Sequence, residues 1–89
     1  MPKVVITHGV ADVDNWLKGK GERAEAIGVM GGVNVVDHVA QDGTQAIAIT
    51  FDTDDVANVV ATTASPPAEM AAAMERHGVI PPLTIYVER

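Results

Sequence analysis

Three side chains that can move a proton or stabilise negative charge share one face of the predicted β-strands. Asn34 and His38 lie an even number of positions apart in an alternating segment, and Tyr86 has the matching parity in the last such segment. A neutral imidazole, with a pKa of about 6.5, can take a proton from a phenol-like or enol-like hydroxyl. An amide and a phenol can orient a carbonyl and stabilise an oxyanion. These types predict acid/base catalysis with His38 as the base and Asn34 and Tyr86 as its helpers.

Four further residues are predicted to contact a substrate. Thr7 and Thr50 share the face of His38 and would shape a cavity there, whereas His8 has the opposite parity and points toward Trp16 or the second helical region. Strand ends beside loops often hold ligand groups, which favours a binding role for His8. The alternatives are a structural His8 bonded to a backbone carbonyl or to Asp12, and a Trp16 that simply belongs to the core.

Metal and nucleotide sites are disfavoured by the residue spacing. The chain has no cysteine, and none of its three histidines forms a pair three or four apart on a helix. Gly28, Gly31 and Gly32 follow a predicted helix and precede a strand, whereas a phosphate loop needs glycines between a strand and a helix. We expect no metal and no bound cofactor. A haem, which needs one axial histidine and an apolar pocket, is the alternative left open.

Composition predicts one globular domain over residues 1–89. Hydrophobic residues make up 47% of the chain and charged residues 20%, a globular balance. A net charge of −6 repels phosphate backbones, so we expect no nucleic-acid partner. No apolar run approaches the roughly 18 residues that cross a bilayer, so no membrane partner is expected either. The first residues lack the pattern of a secretory signal, and we expect a cytoplasmic protein.

Periodicity, capping residues and turn residues predict six elements along the chain. They are a strand at 3–8, a helix from Asp12 or Asp14 to about Ala26, strands at 33–40 and 45–52, a helical region from Asp54 to Gly78 that restarts at Ser65-Pro66-Pro67, and a strand at 83–88. Asp42-Gly43 between the two central strands indicates a hairpin. The order βαββαβ predicts an α+β, ferredoxin-like fold, a four-stranded antiparallel sheet with both helical regions on one face.

The two faces of this sheet differ in composition. One face carries the bulkier apolar residues and should meet the helices. The other, which we call the open face, carries small, apolar and neutral polar residues: Val5, Thr7, Asn34, Val36, His38, Ala40, Ala46, Ala48, Thr50, Thr84 and Tyr86. A face of this kind is not suited to bare water, so we expect a second copy of the chain to cover it. Two such sheets would either enclose a ligand cavity or fill each other completely.

The chain resembles a known superfamily across nearly its whole length. The residues that carry the likeness are Val4, Ile6, His8, Val10, Asp12 and Trp16, then Phe51-Asp52 leading into Asp54-Asp55-Val56, and Gly78-Val79-Ile80-Pro81-Pro82 before the last strand. They resemble the small dimeric α/β-barrel proteins, a superfamily that includes antibiotic-biosynthesis monooxygenases. The resemblance implies a homodimer whose sheets form a barrel, with a cavity between each sheet and its helices or inside the barrel. It also implies oxidation of polycyclic aromatic substrates without metal or flavin. In contrast to those monooxygenases, this chain has no tryptophan in its second helical region.

Residues and resemblance together lead to two expectations of function. The first is a homodimer that binds a small apolar or aromatic organic molecule and acts on it as a cofactor-independent monooxygenase or acid/base enzyme. The second is a non-catalytic assembly or ligand-binding module whose open face is filled by its twin.

Overall fold

A computed structural model describes all 89 residues. Its elements in chain order are β1 Lys3–Val10, α1 Val13–Lys18, α2 Lys20–Val29, β2 Gly32–Val39, β3 Ala46–Thr53, α3 Val56–Ala64, α4 Ala68–Arg76 and β4 Val79–Val87. None of the helices is long and apolar enough to cross a membrane.

The four strands form one sheet in the order β2-β3-β1-β4, and every neighbouring pair is antiparallel. This arrangement confirms the predicted ferredoxin-like fold. The hairpin between β2 and β3 is also confirmed: Gly43 has a φ of +82°, and the Asp42 carboxylate accepts the Thr44 backbone N–H at 3.0 Å. A positive φ at this position explains the preference for glycine.

Strict alternation in β1 and β3 positions the core between the sheet and the helices. Every second side chain in these strands is buried, as predicted for the face that meets the helices. The core cluster is Val4, Ile6, Val10, Trp16, Ile27, Met30, Ile47, Ile49, Phe51 and Val59. Because the helices cover only this side, the open face has no cover within the chain.

The first helical region is two helices rather than the one that the sequence predicted. Asp12 caps α1 as expected, accepting the Asn15 N–H at 3.1 Å, but Gly19 then ends α1 before α2 begins. A Cβ on Gly19 would lie 2.5 Å from the imidazole of His77. The backbone therefore passes directly against a side chain from the far end of the chain, a tertiary contact that local periodicity does not report. In the second helical region the predicted interruption is confirmed, since α3 ends at Ala64 and α4 begins at Ala68.

The last strand begins at Val79, four residues earlier than the sequence predicted. Pro81 and Pro82 therefore lie within β4 rather than before it. Proline has no N–H to donate, but β4 is an edge strand with one side free of partners. The pairing of β1 with β4 shifts register between Thr7 and Gly9, which accommodates this segment.

A bulge interrupts β2, which is the other edge strand. The register between β2 and β3 shifts between Val33 and Val36, and Asn34 adopts a positive φ of 56°. After the bulge Val36 lies opposite Thr50 and His38 opposite Ala48, so both have the predicted open-face parity. Strict alternation had placed Asn34 in line with Val36 and His38, and the bulge alters the backbone at Asn34 instead.

Close approach of β2 to the core depends on Gly32. A Cβ at this buried glycine would lie 2.8 Å from Phe51 Cδ2 and would contact the side chain of Ile27. We expect Gly32→Ala to lower the free energy of unfolding by about 1–3 kcal/mol, the usual range for overpacking a core. Gly28→Ala is the matched control, because nothing lies within 4 Å of its added Cβ. Urea denaturation checks both, and equal stabilities for the two variants would contradict this account of Gly32.

Candidate functional site

A cavity of about 100 Å³ lies between the sheet and the helices. Most of its wall is apolar and comes from both layers: Ile6, Ile27, Met30, Ile49, Met70, Met74, Val79 and Leu83. A concave, mostly apolar space with few polar groups is the usual composition of a small-molecule site. This cavity is therefore the candidate functional site.

Six polar or aromatic residues also line this cavity. They are His8 from β1, Trp16 from α1, Glu22 and Arg23 from α2, Thr63 from α3, and His77 at the end of α4. The chain thus brings groups from five elements, as much as 69 residues apart in sequence, around one apolar space.

His8 is a neutral base in this wall. Only 8% of its surface is exposed. Its Nδ1 lies 2.7 Å from the Gly9 carbonyl oxygen, which can only accept, so Nδ1 carries the proton and Nε2 carries the lone pair. Burial lowers the pKa of His8; the bond to Gly9 opposes this change, and the Arg23 cation adds to it. The imidazole is therefore held in its uncharged, proton-accepting form.

Trp16 is completely buried and stands edge-to-face with His8, their ring centroids 6.3 Å apart. The predicted orientation of His8 toward Trp16 is confirmed. Trp16 belongs to the core and lines the cavity as well, so the two sequence interpretations of this residue are compatible. Its indole Nε1–H has no hydrogen-bond partner in the protein.

Arg23 contacts both Asp37 and Trp16 beside the cavity. Its guanidinium donates to both carboxylate oxygens of Asp37, at 3.2 and 3.0 Å, and to the backbone oxygen of Trp16 at 2.9 Å. Its central carbon lies 3.9 Å from the centre of the Trp16 ring system, a cation–π distance. The side chains of Arg23 and Asp37 are 8% and 2% exposed, so the ion pair is buried.

A second cluster of polar side chains, His77, Glu22 and Arg76, lies beside Arg23. Arg23 Nη1 approaches His77 Nδ1 at 3.5 Å, and His77 Nε2 lies 3.2 Å from Glu22, which also pairs with Arg76 at 2.7 Å. Burial lowers the pKa of His77; the Arg23 and Arg76 cations also lower it, while Glu22 opposes them. These contacts fasten the end of α4 to α2 along one edge of the cavity.

The sequence analysis missed Arg23 and Asp37. One signal was present: alternation in β2 assigns Asp37 to the same side as Val35 and Val39, which is the side that meets the helices. A carboxylate at a core position requires a buried cation. No local sequence signal, however, indicated which lysine or arginine side chain would pair with Asp37.

The other predicted site residues lie on the open face, away from the cavity. His38 Nε2 is 3.0 Å from the Thr50 hydroxyl. An open groove of about 430 Å³ runs past Thr7, His38, Ala48 and Thr84. Thr7 and His38 therefore share a surface, Trp16 belongs to the internal cavity, and His8 lines both the cavity and the groove.

The three predicted catalytic residues are not assembled within one chain. His38 lies in the row of Ala48, Thr7 and Thr84, whereas Tyr86 lies in the neighbouring row opposite Val5. Their strands are the two edges of the sheet, so three strand spacings, roughly 14 Å, separate them.

Asn34 is engaged at the edge of the sheet. Its amide donates to Asp52 at 3.0 Å. That bond, together with the Lys3 ammonium 3.0 Å away, lowers the pKa of Asp52. The amide therefore holds a carboxylate of its own chain. No group of three or more histidine, aspartate and glutamate side chains is placed to hold a metal ion.

Solved structures share this fold over the whole chain. An antibiotic biosynthesis monooxygenase matches with a TM-score of 0.67 and 14% identity, covering 100% of this chain and 97% of its own. A monooxygenase from the gene ActVA-Orf6 of Streptomyces coelicolor, in complex with the ligand nanaomycin D, matches with a TM-score of 0.61 and 22% identity, covering 97% and 83%. A dimeric ferredoxin-like protein from an uncultured marine organism matches with a TM-score of 0.61 and 6% identity, covering 100% and 93%.

Family models and curated protein sequences gave no match to this chain. At these identities the similarity to solved structures establishes the fold. The protein has the ferredoxin-like fold found in antibiotic biosynthesis monooxygenases, as the sequence resemblance implied.

The buried ion pair gives a direct prediction. Asp37→Asn leaves the Arg23 cation buried without its counter-charge and should lower the free energy of unfolding by about 3–5 kcal/mol. The double variant Arg23→Met/Asp37→Leu removes both charges and should lose less than Asp37→Asn. Glu22→Gln, in an exposed pair with Arg76, should cost at most about 1 kcal/mol. Urea titration of the three variants measures these differences. An Asp37→Asn variant as stable as the parent would refute the claim that the buried Arg23 cation depends on the charge of Asp37.

Proposed function

We propose that this protein is a homodimer that binds a small apolar or aromatic organic molecule in the cavity between its sheet and its helices. The observation that carries the proposal is the pairing of an apolar cavity with a buried neutral histidine, His8, in its wall. A core that only needed to be stable would fill this space with side chains, since protein interiors are close-packed.

His8 supplies the chemistry that we propose for the bound molecule. Its Nε2 lone pair can accept a proton from an acidic hydroxyl or activated carbon, and the resulting imidazolium returns the proton after rearrangement. The largely apolar wall lowers the local polarity, which strengthens hydrogen bonds made to His8. This reaction requires neither metal nor organic cofactor.

The structural neighbours support binding rather than any one reaction. One of them is a complex with nanaomycin D, so a protein of this fold holds an organic ligand. We propose the acid/base role because it requires only the His8 imidazole, which is part of the cavity wall.

The open face is the proposed dimer interface. Its exposed apolar side chains include Val36, 49% exposed, and Tyr86, 57% exposed. A dimeric neighbour of the same fold supports pairing of two copies. In the dimer, His38, Thr7 and Thr50 of one chain would face the space between the sheets, where Asn34 and Tyr86 of either chain complete the polar groups. The predicted catalytic role of His38 belongs to this space.

The exposed apolar surface also favours a second candidate function, an assembly module whose open face is filled by its twin. The two candidates differ at the internal cavity. The first requires a ligand to bind there, whereas an assembly module does not. Ligand binding at that cavity is therefore the decisive measurement.

Ligand binding can be tested with toluene as the apolar probe. We expect saturable binding by titration calorimetry, together with a change in the emission of Trp16, the one tryptophan in the chain. Ala73→Leu places three more carbons at the cavity wall and should weaken toluene binding at least tenfold. Ala71→Leu, on the exposed side of the same helix, should bind like the parent. Absence of binding to the parent protein, or equal binding by both variants, would reject the internal site.

The interface can be tested by one charge on the open face. Val36→Glu should convert the dimer into a folded monomer, because it buries a carboxylate between two apolar faces. Val29→Glu is the control, since Val29 is 85% exposed on α2, on the opposite side of the sheet. Analytical ultracentrifugation measures both. A parent protein that sediments as a monomer would rule out this interface.

A further inference from the structure

The internal cavity approaches the surface between α2 and α4. A groove of about 590 Å³ runs along the outside of these two helices. Four residues line both the groove and the cavity: Glu22 and Ala26 from α2, and Met70 and Ala73 from α4. Only these side chains therefore separate the inner space from the outer one along this boundary.

The two ends of α4 are held very differently. At its C-terminal end, Arg76 pairs with Glu22 at 2.7 Å, and the backbone oxygen of Arg76 accepts the Asn15 amide at 3.0 Å. His77 lies 3.2 Å from the same Glu22 carboxylate. At the other end, no hydrogen bond or ion pair joins residues 66–70 to another element, and the helix start has no side-chain cap. A segment with few fixed contacts opens more readily than the rest of a fold, so the N-terminal half of α4 is the end that can move.

Met70 is the apolar anchor of this loosely held end. It is the one residue of α4 that packs against the buried core cluster, and no residue of this helix is completely buried. A methionine side chain is unbranched and flexible, so it can leave a gap and fill it again. Met74, one turn later, lines the cavity but not the groove. Of the two methionines, only Met70 therefore lies between the cavity and the surface.

We propose that α4 is a lid over the internal cavity, hinged at its C-terminal end, and that a ligand enters and leaves past Met70 between α4 and α2. This inference rests on the proposed function, because it describes how the same cavity exchanges its ligand. The competing route would pass His8, the one residue that the cavity shares with the groove of the open face. His8 belongs to a central strand of the sheet, and the proposed dimer covers that groove.

The gate is tested by the rates at which toluene binds and leaves. Relaxation dispersion of the single indole signal, from Trp16, gives both rate constants in protein partly saturated with toluene. Met70→Ala should raise the association rate constant by about fivefold or more, because it removes the side chain that closes the passage. Met74→Ala is the matched control: it shortens a methionine of the cavity wall alone and should change that constant by less than about twofold. Equal association rate constants for the two variants would overturn the gate at Met70.

The passage is tested separately by a label at its outer end. The chain has no cysteine, so one introduced thiol can be modified selectively. Ala72 lines the groove but not the cavity, whereas its neighbour Ala71 lines neither, and both are exposed. Fluorescein-maleimide on Ala72→Cys should lower the association and dissociation rate constants by about fivefold or more and leave Kd within about twofold, because it obstructs the passage and not the site. The same label on Ala71→Cys should change neither rate constant.

The other outcomes separate the lid from the site itself. Unchanged rate constants for labelled Ala72→Cys, with toluene still bound, would overturn the passage between α2 and α4 and leave the internal site standing. Faster exchange in monomeric Val36→Glu than in the parent dimer would assign the route to His8 and the open face instead. If toluene does not bind the parent protein, both the inference and the proposed function fail.

Discussion

The buried guanidinium of Arg23 is the constraint on which the site depends. It pairs with Asp37 of β2, covers the ring face of Trp16 on α1 and lies beside His77 at the end of α4. One side chain from α2 therefore contacts three other elements. A charge in this place is costly unless every donor finds a partner. The partners it finds are the same groups that hold the cavity wall in position. Loss of the pair would therefore alter the shape of the cavity as well as the stability of the fold.

Burial, more than the charge of Arg23, keeps the His8 imidazole uncharged. Desolvation lowers the pKa of His8 most, the bond to Gly9 opposes this change, and the Arg23 cation adds a smaller lowering. The result is an imidazole that keeps its lone pair available in a largely apolar wall. Such a histidine is in its proton-accepting form at neutral pH.

Much of the fold follows from alternation and capping, and much of the site does not. The faces of β1 and β3, the cap at Asp12 and the restart after Ser65 were all predictable, because each depends on neighbouring residues. The break at Gly19 was not, since the backbone there packs against His77, a residue far along the chain. The bulge in β2, where Asn34 has a positive φ and its amide bonds to Asp52, was likewise not predictable from alternation. Residues of the site come from distant segments, and only tertiary packing decides which of them meet.

Both outer strands of the sheet carry features that resist further pairing. In β2 a bulge with a left-handed Asn34 distorts the backbone, and in β4 two prolines lack the hydrogen that a neighbouring strand would need. Sheets with regular edges can recruit strand after strand into fibres. Here the edges stop such open-ended growth, and the flat side of the sheet is left for association. Contacts through a face close on themselves after one partner, so the architecture favours a finite particle over a polymer.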